Sequence, residues 1–113
     1  MSAVTLSYAW FILLIAGILE IIWAVSMKAS EGFTRWTFTA VTIAAAWSSF
    51  YLLGLSLKAL PVGTAYAAWT GIGAVGTAIL GMLIFHEPAT FMRLGFIALI
   101  VGGILGLKFT SGH

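Results

Sequence analysis

The sequence predicts an all-α membrane protein with four transmembrane helices. Three observations carry that prediction. Of 113 residues, 62% are apolar and only 7% are charged, against about 25% charged in a soluble domain. The mean hydropathy is +1.14. The apolar residues fall into four continuous runs, each near the roughly 20 helical residues that cross a 30 Å hydrocarbon core. A β-barrel is excluded by the length and continuity of the runs.

The first run extends from about residue 8 to 27 and the second from about 36 to 57. Between them "KASEGFTR" (28–35) holds Lys28, Glu31, Gly32 and Arg35. The break "KALPVG" (58–63) carries Lys58 and Pro61, and a proline stops or starts a helix. The third run covers about 64–85. "HEPAT" (86–90) separates it from the fourth, about 91–107, after which Lys108 opens a short polar tail. Four helices joined by tight loops form an up-down bundle. No length remains for a soluble domain, so residues 1–113 read as one membrane domain. The first 19 residues contain no Lys or Arg, and the first run is interrupted by Glu20. It is therefore expected to stay as a helix, not to be removed as a signal peptide.

Composition also narrows function. The net charge is +2, five basic residues against three acidic, and the basic residues are scattered at the span borders. That pattern is not a nucleic-acid patch. The chain has no cysteine, so a disulfide, a thiol nucleophile and a Cys-based metal site are all excluded. No nucleophile–base pair, phosphate loop or metal cluster is present, and nothing calls for a cofactor. His86 lies beside Glu87 in a loop and His113 is terminal; both read as solvated groups.

The basic residues bear on topology. Lys28, Arg35 and Arg93 share one side of the membrane, and Lys58 and Lys108 share the other. The positive-inside rule needs an imbalance that this count barely supplies. Two readings follow: an orientation fixed by other features, or dual topology, with copies inserted both ways.

The stretch "AGILEIIWAVSMK" (16–28) places a carboxylate inside an apolar helix. A charge at the bilayer centre costs about 2.5–3.5 kcal/mol on the most lenient scale. Glu20 lies roughly 18 Å along the helix, near the midplane. Gly17, Glu20, Trp23 and Ala24 share one helical stripe, and small residues let another helix approach. Glu20 therefore faces a partner helix or a wet cavity. A protonated carboxyl bonded to a neighbouring helix would be a purely structural role. Yet intramembrane ionisable residues are functional as a rule. No Lys, Arg or His lies deep in another span, so Glu20 holds either a proton or a cation from outside.

The other spans supply matching groups. In "TAYAAWTGIGAVGTA" (64–78), Tyr66, Trp69, Gly73 and Gly76 fall on one face, at offsets of 3, 7 and 10. Aromatic faces attract cations by about 0.5–2 kcal/mol. Belt aromatics and packing glycines are the plain alternative. In "AWSSFYLL" (46–53), Ser48 and Ser49 are the polar atoms. A serine in a membrane helix usually bonds its own i−4 carbonyl, but one of these two is available to hold the Glu20 carboxylate. Gly102 and Gly106 in "GGILG" (102–106) form a G-x-x-x-G face, which suits helix packing in an assembly.

These motifs resemble the small multidrug resistance family over nearly the whole chain. The resemblance rests on four short helices, the central carboxylate, "SEGFTR" after the first span and "LPVGTAYAAWTGIGAVG" opening the third. "EIIW", "WTGIG" and "GLK" are similar to the guanidinium-exporter branch; the quaternary-ammonium branch usually has Gly in place of Trp23. The resemblance implies an antiparallel homodimer of dual-topology chains in the inner or plasma membrane that exchanges protons for guanidinium. It implies that Glu20 binds proton or substrate and that Trp23 donates to that carboxylate. Ser49 would complete the network, Tyr66 and Trp69 would line the site, and Gly17 would be the small residue beneath it. Lys108 matches a lysine near the end of the fourth span. The chain begins about seven residues earlier than is typical, with "SAVTLSY". Two other functions remain to be distinguished: proton-coupled export of quaternary ammonium or other lipophilic cations, and a dual-topology ion channel. A non-transporting subunit that needs another partner chain is a third. The bulk of Trp23 argues against the first, and the charge of Glu20 argues against an anion path.

Overall fold

The computed structural model describes residues 3–111; His113 lies outside them. Four helices follow one another: α1 Ala3–Ala29, α2 Trp36–Ser56, α3 Val62–Ile84 and α4 Phe91–Ser111. Each is long and apolar enough to cross a membrane, and the chain is a multi-pass membrane protein. α1 runs beyond the apolar stretch at both ends. Nothing in "SAVTLSY" breaks a helix, since it lacks Pro and Gly. α4 continues past Lys108, whose charge suits the negative end of the helix dipole.

The loops are closed by local chemistry. After α1, Ser30 is fully buried; its hydroxyl donates to Met27 O at 2.6 Å and accepts from Phe33 N at 3.0 Å. Glu31, Gly32 and Phe33 all take positive φ, which turns the chain back within a few residues. Pro61 sits in extended backbone as the N-cap of α3. After α3, Glu87 Oε1 accepts from Arg93 at 2.7 Å, tying the loop to the first turns of α4.

α1 is the hub. It packs along α2 and α3, while α4 packs on α3 alone. The buried apolar core is small: Ala9, Leu13, Ala16, Leu60, Ala65, Ala68 and Trp69. In lipid, tails are as apolar as Leu, so helices associate through close approach at small residues and through hydrogen bonds. The α1–α3 seam follows that rule. Ile72 fills the space at Gly17, Glu20 that at Gly73 and Ile21 that at Gly76.

Candidate functional site

Glu20 stands on the α1 face turned to α3, as its stripe of small residues predicts. The carboxyl group occupies the place where Gly73 lacks a side chain. Its Oε1 is buried and has no hydrogen-bond partner. The other two acidic residues lie in loops and are paired, Glu31 with Arg35 and Glu87 with Arg93. Among the described residues, Glu20 is thus the one carboxylate outside any ion pair.

Three residues on along the same α1 stripe, Trp23 begins a row of four aromatic rings from three helices. Trp23 of α1 meets Phe50 of α2 with ring centroids 6.2 Å apart. Phe50 meets Trp69 of α3 at 5.7 Å, and Trp69 meets Tyr66 at 5.6 Å. All three contacts are tilted, the arrangement that ring quadrupoles favour. Trp69 is buried, whereas Tyr66 and Phe50 are exposed on the outer side of the row.

Ser49 is fully buried and links three helices. Trp69 Nε1 donates to its hydroxyl at 2.9 Å, and the hydroxyl donates to Ala16 O at 2.7 Å. Ala16 O is the carbonyl one helical turn before Glu20, the acceptor of the Glu20 N–H in a regular helix. Ser48, by contrast, bonds Ala44 O of its own helix at 2.9 Å. Of the two serines, Ser49 is therefore the one that reaches across. Within the chain it holds the α1 backbone and Trp69, not the Glu20 carboxylate.

One further expectation meets a different geometry. Trp23 Nε1 is buried without a partner, so the Trp23–Glu20 bond is not made inside one chain. Gly17, one turn before Glu20, is buried against Ile72 and forms part of the helix seam. Gly102 and Gly106 lie on the exposed side of α4, where an added Cβ would meet nothing within 4 Å. α4 turns Ile100 and Ile104 toward Gly71 of α3 instead. Lys108 lines a groove of about 530 Å³ with Ser7, Trp10 and Phe109.

Two contributors escaped sequence reasoning. Phe50 follows Ser49 directly, and ring contact with both tryptophans makes it the centre of the row. Its position one residue after the linking serine was the available signal. Gly73 is the other: its place on the Tyr66–Trp69 face was readable, but the carboxyl group as its occupant was not. Among the described residues no three His, Cys, Asp or Glu side chains gather as a metal site would require. A carboxylate outside any ion pair attracts cations, and so do aromatic faces.

A chain named Guanidinium exporter from Yersinia pseudotuberculosis is 53% identical over 103 residues, covering 91% of this chain and 99% of that protein. Proteins of the same name from Proteus vulgaris and Escherichia coli K12 are 54% and 53% identical over the same length, 91% of this chain. The profile of the Small Multidrug Resistance protein family matches residues 8–100, which include Glu20 and the whole aromatic row. The chain belongs to the Small Multidrug Resistance protein family.

Proposed function

We propose that this chain exports guanidinium in exchange for protons, working as an antiparallel homodimer in the inner or plasma membrane. The observation that carries the proposal is Glu20: a carboxylate inside a span, outside any ion pair among the described residues, with Oε1 buried and unpartnered, on the α1 stripe where an aromatic row begins. Guanidinium is planar and offers paired N–H donors that match a carboxylate, as the head group of Arg does. A proton takes the same oxygens. Cation and proton therefore exclude each other at Glu20. A site that opens to one side at a time turns that exclusion into exchange, with protons moving inward as guanidinium moves outward.

The surrounding residues take distinct parts. The faces of Trp23, Phe50, Trp69 and Tyr66 stabilise a desolvated cation by about 0.5–2 kcal/mol. Trp23 carries a donor-only indole N–H, which completes the carboxylate's coordination when Glu20 turns to bind. Ser49 fixes Trp69 and the Ala16–Glu20 turn in register. Gly17 lets α1 and α3 approach. The name that the relatives carry supports guanidinium as the cargo.

The dimer is supported by α4, none of whose apolar span is fully buried within the chain. Gly102 and Gly106 are its proposed packing face. The count of three basic residues on one side and two on the other supports insertion in both orientations.

The test is Glu20→Gln, reconstituted in liposomes with a pH gradient. Gln keeps the shape but neither exchanges a proton nor carries charge. Proton-driven guanidinium transport is expected to vanish while the protein stays folded and monodisperse. Transport retained in the variant would defeat the proposal.

A further inference from the structure

The α1–α3 seam is built from three knobs seated at three glycines. Ile72 sits at Gly17, its own Cβ 2.8 Å from where a Gly17 Cβ would stand. Ile21 sits at Gly76. Between them Glu20 sits at Gly73, where an added Cβ would lie 2.7 Å from Glu20 Cγ and nearer still to Cδ and Oε1. Two of the knobs are aliphatic, as close helix packing in lipid requires. The third is the carboxylic acid that the transport cycle uses.

This seat restricts what Glu20 can bind. Oε1 is buried and unpartnered. A planar cation pairs with a carboxylate through two parallel N–H···O bonds, one to each oxygen. Seated at Gly73, Glu20 has one oxygen withheld. We infer that Gly73 is a parking position for the Glu20 side chain: the carboxyl group rests there between transport events and must swing out of the glycine notch to take guanidinium with both oxygens. Gly73 is then a positioning residue, acting on substrate through Glu20. The inference rests on the reading that Glu20 binds guanidinium.

Parking competes with binding. An apparent dissociation constant is raised by the reciprocal of the binding-competent fraction. Closing the notch with Gly73→Ala removes the parked state and leaves both oxygens free. For a competent fraction of roughly 10–30%, the dissociation constant for guanidinium falls about three- to tenfold. Release slows with it, so the turnover rate falls while the affinity rises. A residue that only packs two helices gives the opposite pattern, with affinity and turnover both reduced. Gly76→Ala is the control, because it crowds the same seam against Ile21 and touches no carboxylate. It is expected not to tighten binding.

Guanidinium titration and transport of the two variants and the unmodified protein decide the matter. Weaker binding in Gly73→Ala, or equal tightening in Gly76→Ala, overturns the inference. A second measurement uses the unmodified chain and needs no variant to fold. A nuclear Overhauser contact between the Glu20 Hγ and Gly73 Hα protons is expected without substrate and fades at saturating guanidinium. If guanidinium binds and this contact is absent from the start or persists unchanged, parking fails and the transport reading stands. If the unmodified protein binds no guanidinium, both fall.

Discussion

The three-helix half, α1 to α3, and the fourth helix use the same device to different ends. Both carry glycines that let helices approach. Along the α1–α3 seam the notches are filled: Ile72 at Gly17, Glu20 at Gly73, Ile21 at Gly76; only Gly54 near the end of α2 and Gly63 at the start of α3 are open among the glycines of these helices. A buried relay of hydrogen bonds, from Trp69 through Ser49 to Ala16 O, adds directional bonds to the packing. On α4 the pattern inverts. Ile100 and Ile104 reach Gly71 of α3, but at Gly95, Gly102, Gly103 and Gly106 an added side chain would meet nothing. The α1–α3 seam is closed within the chain and carries the carboxylate, while the glycine face of α4 is left open. In the proposed dimer, that difference divides 113 residues between a site and an assembly surface.

The comparison breaks most sharply if α4 needs no partner or takes a parallel one. The chain has no cysteine, so Gly102→Cys places a single thiol on the open face of α4 near the middle of the helix, the level at which antiparallel copies bring the same residue together. Two or three lysines added to the 58–63 loop drive most chains into one orientation, and lysines added to the 28–35 loop drive them into the other. Each biased chain alone is expected to give neither cross-linked dimer nor transport, and mixing the two restores both. Cross-linked, active protein from one biased chain would show a parallel dimer.

Trp23→Gly tests the site half. It removes a donor and a ring from the row. A hydrogen bond to a charged group contributes about 1.5–3 kcal/mol, so guanidinium transport is expected to fall at least about tenfold. The freed volume admits bulkier quaternary ammonium ions. Guanidinium transport equal to that of the parent would reduce Trp23 to ordinary packing.

Ser49→Ala is the smallest expected effect and the most local. It strands Trp69 Nε1 and removes a bond to Ala16 O, both in the buried relay. Single interhelical bonds in membranes contribute about 0.6 kcal/mol and at most about 1.7, and an unsatisfied buried group costs about 1–3. The loss of unfolding stability is expected at about 1–2 kcal/mol, measured by denaturant titration in detergent. The same substitution at Ser48, which bonds only its own helix, should change stability far less.

Much of this was legible in the sequence. Four apolar runs and three charged breaks are read directly as spans and loops, because lipid enforces apolar helices. The stripe of Gly17 and Glu20 gave the face of α1 that meets a partner. Periodicity assigns a face but not the rotation of the helix opposite. Hence the partner of Ser49 was not readable: α2 turns its hydroxyl to the Ala16 carbonyl and Trp69. Nor was the seat of Glu20, which depends on Gly73 of α3 lying level with it. Tyr66 and Trp69 share a face in sequence, yet one is exposed and the other buried, because the neighbouring α1 and α2 cover only part of that face. The open face of α4 was suggested by Gly102 and Gly106, but the side that packs on α3 was marked only by isoleucines like many others.

The central claim is that proton and guanidinium compete for one carboxylate, and the affinity of the purified protein for guanidinium between pH 6 and pH 9 tests it most directly. As pH falls Glu20 takes a proton, loses its charge and has nothing to offer a cation. The account predicts that the dissociation constant rises toward low pH, with a limiting slope of about tenfold per pH unit for one proton displaced per cation. It also predicts that binding is lost in Glu20→Gln at every pH. An affinity that stays constant from pH 6 to pH 9 would contradict it.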